Sequence, residues 1–284
     1  MRPPLGRRIL HRPFGIAAYD LPTRDKLPIL QRLLREQPDG LALDIGIGTG
    51  YTTYQALAGR PTACVDLHVQ NLLDYRRRIA RIANAQSPWC IAAQATALPF
   101  RTGAFSAILC SEVLEHLEED EPAVREIARL LAPRGRVVIT VPYTGLGFTG
   151  FLELCGLKTV HDFPGPERHV RAGYDERVLH QLLARYGLHE ESHEFYLRFF
   201  TKLATDCVSL LHGAYQRFVR HRRAWSWSDV TAEEGGIAFR CYACLFPILW
   251  VFSRLDWLLS RSRGFGLIMV ARKSAVQDSS RGAG

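Results

Sequence analysis

Lysine is scarce in this chain, with 4 among 36 basic residues, and methionine occurs only 2 times. The one charge-free run of 18 or more residues, 82–100, is broken by Asn84, Gln86, Ser87, Pro88, Gln94 and Pro99, so a standard membrane-spanning helix is not expected. The opening stretch MRPPLGRRILHR is basic, but no apolar segment follows it, so a secretory leader is not expected either. No internal repeat, no low-complexity tract and no G-x-S-x-G nucleophile elbow occurs. The seven cysteines (Cys64, Cys90, Cys110, Cys155, Cys207, Cys241 and Cys244) are odd in number and scattered. That argues against a disulfide framework and fits a reducing cytoplasm. Cys241-x-x-Cys244 is the one close pair. It has no second pair and no histidine at ligand spacing, so it reads as two buried core thiols, and no metal site is expected.

What is present suits a folded enzyme-sized domain. The 284 residues are 47% hydrophobic and 23% charged, enough to bury a core without staples and too apolar for wholesale disorder. The net charge of +8 is uneven: residues 201–284 hold 12 basic and 6 acidic side chains, and the first twelve residues hold four arginines. Basic ends suit an anionic lipid, a nucleic acid or a phosphorylated substrate; they also suit a plain solvated surface.

Apolar patterning divides the chain. Segment 21–36 reads as a helix with Leu27, Leu30, Leu33 and Leu34 on one face. Short apolar runs at 40–45, 62–66, 89–93, 105–110 and 136–141 read as strands, the first as one buried on both faces. Helical stretches at 51–58, 68–84 and 121–131 lie between them, the last stopped by Pro133 and Gly135. Such alternation predicts a parallel sheet with helices on both faces. A glycine-rich, aperiodic stretch, 142–173, follows, and a loop of that length is usually functional. Residues 174–186 return to a helix, 188–198 to a strand, and 264–273 to a last strand. Residues 199–263 break the alternation and read as a helical, hydrophobic insertion before that last strand. The expected organisation is a basic arm (1–20), a core (21–198), the insertion (199–263), the last core strand (264–273) and a tail (274–284).

The strongest local motif is Asp44-Ile45-Gly46-Ile47-Gly48-Thr49-Gly50, between a strand and a helix. Glycines let a backbone approach a ligand closely, and a helix start offers free N–H groups. The spacing is G-x-G-x-G rather than the G-x-G-x-x-G of nicotinamide dehydrogenases. Further blocks follow in order: Val65-Asp66, then Ala97-Leu98-Pro99-Phe100. Next come Gly103-Ala104-Phe105-Ser106, Ser111-Glu112-Val113-Leu114-Glu115-His116-Leu117 and Leu130-Leu131-Ala132-Pro133-Arg134-Gly135-Arg136. With the glycine motif they resemble class I S-adenosylmethionine-dependent methyltransferases of the type 11 kind, over about 40–200 and again from 264.

The resemblance implies an α/β fold: a seven-stranded Rossmann-like sheet, helices on both faces, and the hydrophobic insertion before the last strand. It implies S-adenosylmethionine as cofactor. Asp44 would accept from the cofactor's ammonium or orient the turn, and Asp66 would accept two ribose hydroxyls. Gly46, Gly48 and Gly50 would form the cradle, and Ser111 would complete it. Relatives often carry an acid where this chain has Gln94; its side-chain carbonyl can still accept from the adenine amino group, helped by Thr96 or the backbone of Ala95. On the acceptor side, Glu112 and His116 follow the fourth strand. His116 is read as holding the loop or as a catalytic group, and Tyr143 as lining the acceptor pocket. His169, in Glu167-Arg168-His169-Val170-Arg171, is read as base or substrate contact, with His161 as the weaker choice.

The insertion carries a basic cluster at 217–223, then Trp225 and Trp227. Cys241–Ser253 follows, thirteen uncharged residues bracketed by Arg240 and Arg254. This is too short to span a bilayer and suits an interfacial segment or a lid on the core or on a second subunit. The expected activity is methyl transfer to oxygen on a small or lipid-linked acceptor, in the cytoplasm, with peripheral membrane contact through 199–263. No nucleic acid is expected as partner, and the oligomeric state is left open. The rival readings are a nucleic-acid or protein methyltransferase, and a non-catalytic binding module on the same fold.

Overall fold

The computed structural model describes residues 12–83, 85–146, 169–218 and 237–274. His161, most of the 217–223 cluster, Trp225, Trp227, the first part of the arm and nearly all of the tail lie outside the described residues.

Seven strands form one sheet: β1 (Ala42–Ile45), β2 (Thr62–Asp66), β3 (Trp89–Ala92), β4 (Phe105–Ser111), β5 (Leu131–Pro142), β6 (Leu188–Tyr196) and β7 (Gly266–Lys273). Their order is β3-β2-β1-β4-β5-β7-β6. The pairs among β1 to β5 are parallel, and β7 runs antiparallel to both β5 and β6. The order reverses between β1 and β4, and such a switch point opens a crevice at the carboxyl ends of the strands.

Side chains alternate across the sheet with period two. On one face Leu43, Ile45, Ala63, Val65, Ile108 and Ile139 pack against helices α4 (Glu121–Leu130) and α5 (Glu176–Ala184). On the other, Ala42, Ala107, Leu109 and Val138 meet Leu30, Leu33 and Leu34 of α1 (Leu21–Arg35). There too Cys64 meets Leu72, Tyr75 and Ile79 of α3 (Val69–Ile79). Helix α1 is started by Asp20, whose carboxylate accepts from the Thr23 N–H at 2.9 Å. Helix α2 (Tyr51–Ala56) begins directly after the glycine turn.

Three expectations change. The alternation over 40–141 predicted a parallel sheet, which β1 to β5 form, but β7, outside that alternation, is reversed. The insertion leaves from Leu197 and returns at Phe265, which are joined by an N–H to carbonyl bond of 3.0 Å. Entry and exit therefore share the carboxyl edge, and the strand that follows can only run away from it. The second change is at the arm: Arg12–Tyr19 forms a 3₁₀ turn, with Phe14 buried against Tyr51, Tyr54 and Tyr75. The third concerns Cys241 and Cys244, which are exposed rather than core thiols. They lie on α7 (Ile237–Ser253), which packs against α6 (Phe199–Phe218) along one side only and leaves Leu245, Ile248, Trp250 and Val251 exposed. By length and composition alone, Cys241–Leu259 is apolar enough to cross a membrane.

Candidate active site

The glycine turn leaves β1 and is tied to β2 by bonds from the Gly46 and Ile47 N–H groups to the Val65 carbonyl, at 2.8 and 3.2 Å. Gly46, Gly48 and Gly50 all adopt positive φ (+75°, +50° and +74°). Their surroundings differ. A Cβ on Gly46 would overlap Val113, and one on Gly50 would overlap the Tyr75 ring. A Cβ on Gly48 would meet nothing within 4 Å. The turn is packed at both ends and bare in the middle, as a backbone cradle for a ligand must be.

The floor of that cradle is Asp66, 6% exposed at the end of β2. Its Oδ2 accepts from the Gly48 N–H at 3.0 Å, and its Oδ1 accepts from the His68 N–H at 2.8 Å and Asn71 Nδ2 at 3.2 Å. Three of the roughly four acceptor positions of a carboxylate are thus engaged. Asp44 is buried beneath the turn and accepts from Thr53 Oγ1 at 2.5 Å, fastening α2 to β1. Burial raises its pKa to about 7 against the Thr53 bond, and the Asp66 charge adds to the rise. Beyond β3, Gln94 is exposed and Ala95 half-buried; Thr96 Oγ1 donates to Gln94 Oε1 at 3.5 Å. Leu67, next to Asp66, is 61% exposed.

At the end of β4 the structure gathers a polar network that sequence reasoning saw only in part. Lys26, on the buried face of α1, donates to Ser111 Oγ at 3.0 Å and Glu112 Oε1 at 3.3 Å. Thr140 Oγ1 and the Tyr196 hydroxyl also donate to Glu112 Oε1, at 2.6 and 2.5 Å. Burial works against the Glu112 charge, but Lys26 and these two hydroxyls prevail and hold its pKa below the ordinary carboxylate range. Ser111 Oγ also lies 2.9 Å from Thr140 Oγ1, so its hydroxyl is engaged inside this network. Lys26, Thr140 and Tyr196 were missed. The one available signal was a lysine on the leucine stripe of α1, seven residues before Leu33. Glu112 itself takes φ +55°, a left-handed conformation that is costly for a side chain of this size.

The next turn brings the two predicted histidines together. His116 and His169 lie edge to face with ring centroids 4.7 Å apart. The segment carrying His169 is stitched to the one carrying His116. The Glu115 carbonyl accepts from the Val170 and Arg171 N–H groups at 2.9 and 3.3 Å. Arg171 pairs with Asp120 and donates to the Leu117 and Glu118 carbonyls. The Tyr174 hydroxyl donates to Asp120 at 2.7 Å. Glu115, between them, is 0% exposed, and burial pushes its pKa well above the ordinary range. Tyr143 is not brought to this pair by any described contact. It is 1% exposed, edge-on to Phe195, with Arg263 over its ring and the Glu176 carboxylate beside its hydroxyl but short of hydrogen-bond geometry. Burial, then Glu176, pushes its phenol up to about 12.

The family model described as "Methyltransferase domain" matches residues 43–139. Demethylmenaquinone methyltransferase of Mycobacterium marinum is 30% identical over 169 residues, covering 54% of this chain and 69% of that protein. Malonyl-[acyl-carrier protein] O-methyltransferase of Halorhodospira halophila is 30% identical over 195 residues, covering 62% and 64%. The chain thus spans just under two thirds of that second relative. Among solved structures, the [4+2]-cyclase SpnF superposes with a TM-score of 0.53 at 17% identity, covering 87% of this chain and 80% of that one. At such identity the likeness is one of fold.

Proposed function

The chain belongs to the class I S-adenosylmethionine-dependent methyltransferase family, and on that premise we propose that it transfers a methyl group to an oxygen of a small or lipid-linked acceptor at a membrane face. The cofactor, S-adenosylmethionine, supplies an electrophilic methyl carbon on a sulfonium. The observation that carries the reading is the bare backbone at Gly48 above the Asp66 carboxylate. In this reading Gly46, Gly48 and Gly50 let the cofactor lie against the main chain. Asp66 uses its remaining acceptor position for a ribose hydroxyl. Exposed Leu67 offers an apolar face to the adenine, whose amino group meets Gln94 or the backbone of Ala95. Asp44 and Ser111 act from beneath, Asp44 by holding α2 and Ser111 by joining Lys26 to Thr140.

The acceptor hydroxyl is presented at the His116–His169 pair, one turn from the cradle, because Val113 of the same loop packs against Gly46. Tyr143 closes the wall behind β5. The insertion leaves the sheet at this same edge and exposes Ile248, Val251, Trp257 and Leu258, each at least 60% accessible, with exposed Arg254 beside them. Apolar side chains flanked by arginine suit the boundary between headgroups and acyl chains. The acceptors in the relatives' names, malonyl-[acyl-carrier protein] and demethylmenaquinone, support a metabolite or a carried group over a nucleic acid.

The test uses S-adenosylmethionine labelled in its methyl group, incubated with the protein and an extract of the source cells, with Asp66→Ala as control. Label extracted into organic solvent supports a lipid-linked acceptor, and label in the small aqueous fraction supports a soluble one. Label in nucleic acid or protein overturns the acceptor class. No label in any fraction while S-adenosylhomocysteine still binds overturns the transfer reading in favour of a binding module.

A further inference from the structure

Glu115 has a carboxylate that the fold leaves unserved. Both oxygens are sealed from solvent, and neither has a hydrogen-bond partner among the described residues. An ionised carboxylate buried without a partner is among the costliest arrangements in a protein, and such groups are ordinarily paired, bound to a metal or kept neutral. Two imidazoles stand next to it: one ligand atom each from Glu115, His116 and His169 lies within 4.8 Å of the others. Three ligands about 2.1 Å from one tetrahedral ion lie roughly 3.4 Å apart, so closure needs at most about 0.8 Å of movement by each side chain. The Val170, Arg171, Asp120 and Tyr174 bonds that fasten the two segments pre-position the set.

We propose that Glu115, His116 and His169 form a divalent-cation site that receives the acceptor's oxygen atoms. The proposal rests on the methyltransferase reading above and narrows its acceptor to a molecule offering an oxygen pair, such as a hydroxyl beside a second hydroxyl, carbonyl or phosphate oxygen. Two imidazoles and a carboxylate favour zinc, manganese or iron(II) over calcium or magnesium, and three protein ligands leave positions open for an incoming molecule. The location agrees: Val113, two residues before Glu115, packs on Gly46 of the cofactor cradle. An ion there would orient the acceptor and favour loss of its hydroxyl proton to water, work that neither imidazole would then do as a base. The sequence reading missed the set because its ligands come from two segments separated by the glycine-rich loop.

The test is titration of the chelator-stripped, full-length protein with Co²⁺, read by visible absorption, and with Mn²⁺, read by electron paramagnetic resonance. One ion per chain is expected, weakened roughly tenfold or more in Glu115→Gln and in His169→Ala. The double variant His180→Ala/His193→Ala removes surface imidazoles paired with Glu190 and should bind as the parent does. Thermal melting provides a second readout: the ion should raise the Tm of the parent and not that of Glu115→Gln, which keeps the shape of the side chain. Binding unchanged in Glu115→Gln, or lost only in the His180/His193 variant, overturns the proposal. So does absence of binding in the parent at millimolar ion. S-adenosylhomocysteine titration of the same samples separates the two readings: cofactor binding without metal binding overturns this site alone, and failure to bind cofactor overturns the methyltransferase reading.

Discussion

The glycine turn allows a direct test, because its three glycines are required for different reasons. Alanine at Gly48 faces only backbone strain: a left-handed conformation costs an L-residue about 1–2 kcal/mol, offset by about 0.4–1 kcal/mol from a stiffer unfolded chain. The net loss of stability is then about 1 kcal/mol, since no atom lies within 4 Å of the new methyl. Alanine at Gly50 meets the same strain and also the Tyr75 ring, which is buried against Phe14 and cannot swing away. Overpacking adds about 1–3 kcal/mol, giving a total of about 2–4 kcal/mol. Urea unfolding of both variants measures these losses, and calorimetric titration with S-adenosylhomocysteine measures the cradle. Gly48→Ala should fold nearly as the parent does yet bind at least about tenfold more weakly, a difference of about 1.4 kcal/mol. Gly48→Ala with parental affinity would refute the argument, because the ligand would then lie somewhere other than on this bare backbone.

Other consequences can be checked with the same tools. Lys26→Met removes the cation facing Glu112, whose side chain is about one third accessible, so a loss of about 2 kcal/mol is expected rather than the full cost of a buried orphan charge. Because the Glu112 pKa is depressed, the stability it contributes is present above the ordinary value of 4.5 and lost as pH falls below it. Urea midpoints from pH 6 to 3 should therefore fall steeply in the parent and less in Lys26→Met. Asp44 has the opposite sign: its pKa is raised to about 7, so ionisation costs stability as pH rises from about 4 to 7. Asp44→Asn keeps the acceptor for Thr53 and should gain roughly 2–4 kcal/mol at pH 8, with the gain vanishing near pH 4; a gap that does not change with pH would contradict this. Ile248→Glu with Trp257→Glu, at sites 67% and 69% exposed, should leave the Tm unchanged and abolish sedimentation with anionic vesicles.

Patterns that depend on local periodicity were readable in the sequence. The leucine stripe of α1 and the apolar runs of β1, β2 and β4 each reflect a side-chain repeat that burial enforces. Asp66 could be found because the resemblance to the methyltransferase family implies an acid at the end of the second strand. Features that depend on where distant segments meet were not readable. The direction of β7 follows from the shared edge of Leu197 and Phe265, which no repeat encodes. Phe14 was assigned to a basic arm although residues 13–19 carry no charge, and its burial among Tyr51, Tyr54 and Tyr75 comes from tertiary packing. Cys241 and Cys244 were misread by taking an apolar helix for a buried one; packing on a single side leaves them outside.

The buried polar residues of the described chain show how the two halves of the reading connect. Lys26, Asp44, Thr53, Asp66, Glu115 and Thr140 lie at the carboxyl edge of the sheet, around the glycine turn and the β4 turn. A second set, Thr201, Lys202, Asp206, Ser253 and Asp256, lies at the root of the insertion. There Asp256 accepts from the Phe200 and Thr201 N–H groups at 2.8 and 3.0 Å and so caps α6 from a distant segment. Lys202 and Asp206 form an ion pair of 2.6 Å that is almost fully buried. Natural sequences place costly polar groups in the interior where geometry must be specified, and here both sets specify the same edge: one shapes the cradle, the other fixes the insertion beside it. The exposed face of α7 is therefore presented from a fastened base. Its Phe246 is seated against Leu21 and Ala204, and the Tyr242 hydroxyl donates to the Tyr19 carbonyl at 2.5 Å. On the proposed reading, this fastened apolar surface brings a membrane-borne acceptor to the His116–His169 pair, and charge substitutions on that face should separate acceptor delivery from cofactor binding.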